Sequence, residues 1–261
     1  MTRNSILNTI SCRNPQNTYN KITCNLTGGI GNQLFQLATT HHLARTHKKI
    51  ACVDTLTTPS TNHSSKNYFD SIFSKWKNTY HLVDFRHTCE IKEFEYYNGS
   101  LPENAKIQGC FQHWKHVEND FKDTLHFNTD ILSKYPNIKD TVFLHVRGGD
   151  YMCPSHYIDF TNYYKNAIKE FPEGIQFSIF TNDLPFAQRY LTDIEYTIID
   201  ENEEDSLFLM TQCFGGICAN STFSWWGAFL NRERKLVLPS KWLNTMECNG
   251  IYFDGCTIVD V

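Results

Sequence analysis

An arginine follows a strongly apolar segment in the sequence VFLHVRGGDY, residues 142–151. The apolar part has the composition of a buried β-strand, and Arg147 comes at its carboxyl end, beside two glycines. An arginine in this position can present two N–H groups to two oxygens of a phosphate. The alternative is an internal ion pair with Asp150, a carboxylate that could equally act as a general base. The sequence therefore predicts either an anion site or an ion pair at this strand end.

Two further segments carry polar groups suited to an anion or a nucleoside. NSTFSWWGAFL, residues 220–230, places hydroxyls and free amides at the start of a predicted helix, where anions bind favourably. The alternative is an ordinary helix cap followed by two buried tryptophans. Asn182 and Asp183 follow another predicted strand, and the carboxylate could bind a guanine edge or a ribose, or cap the next helix. Together with Arg147, these edges favour a nucleoside diphosphate as ligand.

The glycine-rich sequence GGIGN, residues 28–32, predicts a tight turn between a strand and a helix. Gly29 and its neighbours allow close approach of an anion, to which the helix start offers N–H groups. The segment fails the dinucleotide fingerprint, because Leu34 stands where the third glycine belongs, and it lacks the Gly-Lys-Ser/Thr of a P-loop. Asn32 is expected to cap the helix and, with Gln33, to favour a polar ligand. The alternative is an ordinary turn without a ligand.

Alternating strand and helix patterns must position these residues. We predict strands at 21–27, 49–54, 106–114, 141–147, 176–183, 196–200, 215–220 and 235–239. We predict helices at 33–49, 160–171, 184–191, 204–213 and 221–232, and a helical segment at 120–136. Such alternation specifies parallel sheets covered by helices, and ligands bind beyond the carboxyl ends of their strands. The predicted class is α/β, with a polar extension at 1–20, an amino-terminal lobe at 21–138 and a carboxyl-terminal lobe at 139–261.

Composition and charge argue against several classes of protein. A net charge of −4 over 261 residues, without a basic block, argues against an extended nucleic-acid-binding surface. The sequence contains no apolar run of about 18 residues and no signal-peptide pattern, so we expect a cytoplasmic protein without a membrane span. The ten cysteines form no Cys-x-x-Cys pair and are expected to be free thiols.

No metal site is expected. The sequence contains no Asp-x-Asp pair, and HWKH at 113–116 lacks a second pair of ligands. A bound diphosphate would therefore be neutralised by Arg147, main-chain amides and helix ends.

Six segments, in order, resemble the α-1,2-fucosyltransferases of glycosyltransferase family 11. They are GGIGNQLFQLA, GCFQHWK, FLHVRGGDY, FTND, LFLMTQCFGGICANSTFSWWGAFLN and VLPSKW, and the similarity covers about residues 21–243. The resemblance implies a GT-B-type glycosyltransferase with two Rossmann-like lobes. It also implies that GDP-β-L-fucose is the donor, that no metal or other cofactor is required, and that the anomeric configuration inverts.

The resemblance also implies roles for particular residues. The family's His-x-Arg-Arg-x-Asp motif falls on His145 to Asp150, so that Arg147 would contact the donor diphosphate and His145 would lie near the guanosine. Asp150 is the candidate base, and Gly148 stands where the family commonly has its second arginine. The other residues expected to bind the donor are Gly29, Asn32, Asn182, Asp183, Asn220, Ser221, Thr222 and Ser224.

The family implies that the acceptor is the 2-hydroxyl of a terminal β-galactoside, bound largely by the first lobe. Trp114 and Tyr96 are candidates to stack on the sugar, with core packing as the alternative. Other functions stay open: transfer of another GDP-linked sugar, a different acceptor, or a glycan- or nucleotide-binding protein that lost activity with Gly148. A nicotinamide-dependent oxidoreductase is disfavoured by Leu34 in the glycine turn.

Overall fold

The structure is a computed structural model that describes residues 20–53, 68–79, 85, 87–192 and 194–261. These ranges include the backbone, but not the side chains, of Asn78 and Asp150. The predicted polar extension at 1–20 lies outside the described residues, apart from Asn20.

The first sheet has four parallel strands in the order β2-β1-β4-β3. Their bounds are β1 Lys21–Cys24, β2 Ile50–Ala51, β3 His87–Glu90 and β4 Ala105–Gln108. Helix α1, Ile30–Thr46, connects β1 to β2, which confirms the predicted parallel βαβ unit. Strand β3 was not predicted because it is an edge strand whose sequence, HTCE, is mostly exposed and lacks apolar alternation.

The second sheet has six parallel strands in the order β10-β9-β8-β5-β6-β7. Their bounds are β5 Thr141–Val146, β6 Gln176–Thr181, β7 Tyr196–Ile198, β8 Gly215–Ile217, β9 Leu236–Pro239 and β10 Thr257–Val259. Counted along the chain from β5 and read from β7 to β10, the order is 3-2-1-4-5-6, that of the Rossmann fold. The order reverses between β5 and β8, and ligands of such sheets bind beyond the strand ends at this point.

The remaining α-helices cover the second sheet. They are α2 Thr161–Ile168, α3 Leu184–Ala187, α4 Glu203–Gln212 and α5 Thr222–Phe229, which confirms the four helices predicted here. The helical segment predicted at 120–136 is wrong as an α-helix, because the chain forms separate 3-10 turns at Phe121–Thr124 and Thr129–Ser133. Asn128 causes the break, since its Oδ1 accepts a hydrogen bond from the Asp130 amide at 3.3 Å and starts a new turn.

The two sheets share one hydrophobic core through α1 and α5. Phe35 of α1 packs against Trp225 and Trp226 of α5, with ring centroids 4.4 and 5.0 Å apart, and all three side chains are fully buried. Trp226 Nε1 also donates to the Gly31 carbonyl at 2.9 Å. The amino-terminal ends of these helices are therefore held side by side. The predicted lobe boundary near residue 138 falls in the segment between β4 and β5 and stays a prediction.

Candidate active site

A cavity of about 700 Å³ lies where the first turns of α1 and α5 face the carboxyl ends of β5, β6 and β7. Its position matches the crevice that the strand order of the second sheet predicts. Seven of the residues singled out in the sequence line it: Gly29, Asn32, His145, Arg147, Asn182, Ser221 and Thr222.

Arg147 is the cationic side chain among the residues that line this cavity. Its guanidinium carbon lies 5.1 Å from the centroid of the Tyr151 ring, and the His156 ring lies 4.9 Å from the same ring. Stacking on an aromatic face restricts the orientation of the guanidinium. The side chain of Asp150 lies outside the described residues, so its roles as ion-pair partner or general base stay predictions.

His145 is buried at the floor of the cavity, 2% exposed, with its ring 5.6 Å from that of Phe223. Burial, reinforced by the charge of Arg147, lowers the pKa of His145 to about 3. The imidazole is therefore neutral throughout the physiological pH range. Its Nδ1 is buried and has no hydrogen-bond partner among the described residues.

The glycine turn is held by glutamines of the helix that follows it. Gln33 Nε2 donates to the Gly28 carbonyl at 2.9 Å, and Gln36 Oε1 accepts from the Thr27 amide at 2.9 Å. The predicted capping role of Asn32 is wrong, because α1 already begins at Ile30, after Gly29, and no side chain caps it. Asn32 lies in the first turn instead, with its side chain at the cavity. The uncapped turn leaves amide groups of α1 available at the cavity wall.

Helix α5 brings two of its four candidate residues to the cavity. Ser221 caps the helix, with Oγ 3.4 Å from the Phe223 amide, and Thr222 Oγ1 donates to Asn32 Oδ1 at 3.1 Å.

The other two candidates, Ser224 and Asn220, do not reach the cavity. Ser224 is fully buried, and its hydroxyl faces the Ser221 carbonyl at 3.3 Å. Asn220 Nδ2 donates to the carbonyls of His156 and Trp242 at 2.9 and 3.0 Å. These hydrogen bonds hold the helix start in place, and the predicted donor contacts of the two residues stay predictions.

Asn182 and Asp183 also differ in position. Asn182 lines the cavity and is hydrogen-bonded to the turn after β5, where its Oδ1 accepts from the Gly148 amide at 3.0 Å. Asp183 does not line the cavity: its Oδ1 caps α3 by accepting from the Phe186 amide at 3.1 Å. The structure thus shows the capping role that the sequence offered as the alternative, and the guanine contact of Asp183 stays a prediction.

Gly148 is packed directly against Asp183. A side-chain carbon at position 148 would lie 2.7 Å from Asp183 Cβ and 2.9 Å from its Oδ2. We expect Gly148→Ala to lower the free energy of unfolding by about 1–3 kcal/mol, because such overpacking forces the backbone to move. Urea unfolding measures this change. In the double variant Gly148→Ala with Asp183→Gly, the side chain that causes the clash is removed. A Gly148→Ala variant as stable as wild type would contradict the contact.

Three carboxylates that the sequence did not single out form an acidic wall of the cavity, namely Asp200, Glu201 and Glu203. They lie on the loop after β7 and at the start of α4, in the sequence DENEED, whose charge run was the available signal. The Tyr135 hydroxyl donates to Glu201 Oε1 at 2.7 Å, and the Tyr68 hydroxyl donates to Glu203. Lys134 is ion-paired with Glu201, so the negative charge at this end of the cavity comes mainly from Asp200 and Glu203. The cavity thus has a cationic centre at Arg147 and an acidic end suited to N–H or hydroxyl donors.

The two acceptor candidates lie away from this cavity. The Tyr96 hydroxyl pairs with His42 Nε2 at 3.2 Å, and its ring stacks on His116 with centroids 5.0 Å apart. Trp114 is half-buried against the core, with Lys115 Nζ 5.5 Å above its ring. For these two residues the structure provides packing roles, and sugar binding stays a prediction.

Within the described ranges, no three His, Cys, Asp or Glu side chains are grouped so that they could hold a metal ion. The helices in those ranges also include none that is both long and apolar enough to cross a membrane.

The architecture defines the fold class, the GT-B fold with two parallel α/β sheets. A crystal structure of the fucosyltransferase NodZ from Bradyrhizobium superposes with a TM-score of 0.54 at 11% identity, covering 81% of this chain and 93% of that one. The structure of NodZ α-1,6-fucosyltransferase soaked with GDP-fucose superposes with a TM-score of 0.51 at 11% identity, covering 81% and 92% of the two chains. At this identity the likeness establishes the fold.

The chain belongs to glycosyl transferase family 11, whose family model matches residues 2–247. The O-antigen biosynthesis glycosyltransferase WbnK of Escherichia coli is 34% identical over 133 residues, 45% of this chain and 43% of that protein. An α-1,2-colitosyltransferase of Escherichia coli is 28% identical over 183 residues, 61% of this chain and 62% of that protein. The chain therefore spans about half the length of the curated relatives it matches.

Proposed function

We propose that the protein transfers L-fucose from GDP-β-L-fucose to the 2-hydroxyl of a terminal galactoside, with inversion and without a metal. The observation that carries this proposal is the convergence of Arg147 and the first turns of α1 and α5 on one cavity with an acidic end. A nucleoside diphosphate fits this pattern, with its phosphates at Arg147 and a base rich in N–H groups, such as guanine, at the carboxylates.

The proposed reaction needs negative charge to be stabilised as the bond between sugar and phosphate breaks. Arg147 would bind the departing diphosphate, helped by amide groups of the two helix starts. His145, neutral because of its low pKa, would add a hydrogen bond at the cavity floor without adding charge. The acceptor hydroxyl would attack the opposite face of the sugar from the side of the first lobe, and Asp150 is our proposed acceptor of its proton.

A second candidate is transfer of colitose, favoured by the similarity to an α-1,2-colitosyltransferase. Both candidates place a GDP-linked sugar in the same cavity. A non-catalytic binding protein is the third candidate, since Gly148 replaces an arginine of the family motif.

A cytoplasmic location is also proposed, in keeping with free thiols at all nine cysteines that the structure describes.

A donor panel separates these candidates. The purified protein is supplied with a β-galactoside acceptor, EDTA, and in turn GDP-fucose, GDP-colitose, GDP-mannose or UDP-galactose, and release of the nucleotide is measured. We expect acceptor-dependent release of GDP from GDP-fucose. Preference for GDP-colitose would favour the second candidate, whereas GDP-fucose binding without release would favour a binding protein. Preference for a UDP-sugar would overturn the proposal.

Cys153 provides a chemical probe of the cavity, because it is the exposed thiol among the described cysteines and lies on the cavity wall. Hydrogen bonding to Ser155, with Sγ and Oγ 3.4 Å apart, lowers the pKa of Cys153, whereas burial raises that of Cys213 to about 11. A lower pKa gives more thiolate, so iodoacetamide should modify Cys153 well before Cys213, and bound GDP should slow the reaction. Peptide mass mapping measures both rates, with Cys153→Ser as the control. Equal labelling of the two thiols would contradict this assignment.

A further inference from the structure

The side-chain amide of Asn32 has its oxygen fully engaged. Asn32 Oδ1 accepts a hydrogen bond from Gln112 Nε2 at 3.2 Å and one from Thr222 Oγ1 at 3.1 Å. The orientation of an amide follows from the partners that its oxygen and nitrogen find. Since Oδ1 of Asn32 faces the Gln112 amide and the Thr222 hydroxyl, its Nδ2 faces the other way.

The nitrogen of this amide is directed towards the glycine turn at the cavity. Asn32 Nδ2 lies only 2.7 Å from where a side-chain carbon of Gly28 would be, so the absence of a side chain at Gly28 leaves room for it. Both residues line the cavity, and Nδ2 has no hydrogen-bond partner among the described residues. The two N–H groups of Asn32 are therefore presented to whatever the cavity binds.

Gln112 reaches Asn32 from an unusual backbone conformation. It comes four residues after the end of β4, beyond Gly109 at φ 149° and Phe111 at φ 56°. Phe111 is fully buried, and a bulky residue at positive φ costs roughly 1–3 kcal/mol unless its surroundings impose it. Strain of this kind is concentrated at functional sites, and here it occurs in the turn that delivers Gln112.

We propose that Gln112 is a positioning residue that, together with Thr222, fixes the Asn32 amide with its N–H groups towards the diphosphate of the donor. This inference rests on the proposed function, which supplies the anion. Gln112 comes from the turn after β4 and Thr222 from the start of α5, so the amide is held from both sheets. Without these partners the Asn32 side-chain amide can rotate by 180° and present its oxygen to the ligand. That oxygen would repel an anion.

A double-mutant cycle tests this coupling, with GDP affinity measured by calorimetry in EDTA and kcat and KM measured with GDP-fucose. Asn32→Ala should weaken GDP binding roughly tenfold, the loss of one hydrogen bond to a charged group. Gln112→Met, which keeps the size of the side chain, should weaken it by about threefold to tenfold because the amide is no longer fixed. The double variant should bind no worse than Asn32→Ala, since Gln112 acts only through Asn32.

A second variant and a stability control complete the design. Thr222→Val removes the other donor to Asn32 and should show the same lack of additivity, which keeps the test valid if Gln112→Met does not fold. Thermal unfolding midpoints separate loss of binding from loss of structure. Losses that add in the double variants, or unchanged GDP affinity in Gln112→Met, would overturn this inference while the proposed function stands. A wild-type protein that binds no GDP would overturn both.

Discussion

Arg147→Ala is expected to lower kcat for transfer from GDP-fucose by about 100-fold to 1000-fold, the usual cost of removing a group that stabilises transition-state charge. The reason is the position of Arg147 as the cationic side chain on the cavity wall, where charge would develop on the departing diphosphate. The measurement is acceptor-dependent release of GDP, followed at saturating donor.

Arg147→Lys provides the matched control for this prediction. Lysine keeps the charge but loses the planar fork and the stacking on Tyr151, so we expect an intermediate loss of activity. Both variants should keep the thermal unfolding midpoint of the wild type within a few degrees, because Arg147 lies at the cavity and the residue as a whole is half-buried. Turnover of Arg147→Ala close to that of wild type would exclude Arg147 from the reaction.

Gly31→Ala is expected to reduce both stability and activity. A side-chain carbon at position 31 would lie 2.6 Å from the carbonyl carbon and the Oγ1 of Thr222, and 2.7 Å from the Phe223 amide nitrogen. Two of these three atoms belong to the backbone, so the start of α5 would have to move away from α1. We expect a loss of about 1–3 kcal/mol in the free energy of unfolding. Urea unfolding measures it, and kcat should fall because the two helix starts at the cavity are pushed apart.

Gly29→Ala is the control for the effect of an added methyl group in the same turn. Position 29 has φ −68° and no atom within 4 Å of an added side-chain carbon, so alanine fits there without strain. Alanine is also the better helix former by about 1 kcal/mol, so a net loss at position 31 must come from the contact with α5. If Gly31→Ala and Gly29→Ala unfold at the same urea concentration, this close contact does not hold the sheets together.

Much of the fold could be predicted because alternating apolar strands and amphipathic helices leave a clear periodic pattern. β5, β6 and β8 are buried along most of their length, and their sequences identify them as parallel strands. The edge strands β3 and β10 carry mostly exposed or half-buried residues, so they lack this pattern and were missed. Periodicity also could not distinguish an α-helix from the successive 3-10 turns after residue 120, which depend on the local hydrogen bond of Asn128.

The candidate site could be located but not fully resolved from sequence. The rule that ligands bind at strand ends singled out Arg147, Asn182 and Ser221, and these residues line the cavity. Their contacts with a donor stay predictions. The rule does not say which way a side chain points. It could not show that Asp183 caps a helix or that the Ser224 hydroxyl bonds to the Ser221 carbonyl within α5.

Local sequence patterns could not predict hydrogen-bond partners that are distant in the sequence. The hydrogen bonds of Asn32 join residues 80 and 190 positions away along the chain, and no spacing rule relates them. The carboxylates after β7 were missed for a simpler reason. Their charge run has the composition of a solvated surface segment, and only the folded structure shows that it lines the cavity.

A crystal structure of the protein with GDP, grown in EDTA, tests the central claim most directly. We predict that the diphosphate lies within hydrogen-bonding distance of Arg147 and of the first turns of α1 and α5, with guanine against the wall formed by Asp200, Glu201 and Glu203. A diphosphate bound elsewhere, with Arg147 turned away from it, would contradict the account, as would GDP that enters this cavity only when a divalent cation bridges its phosphates.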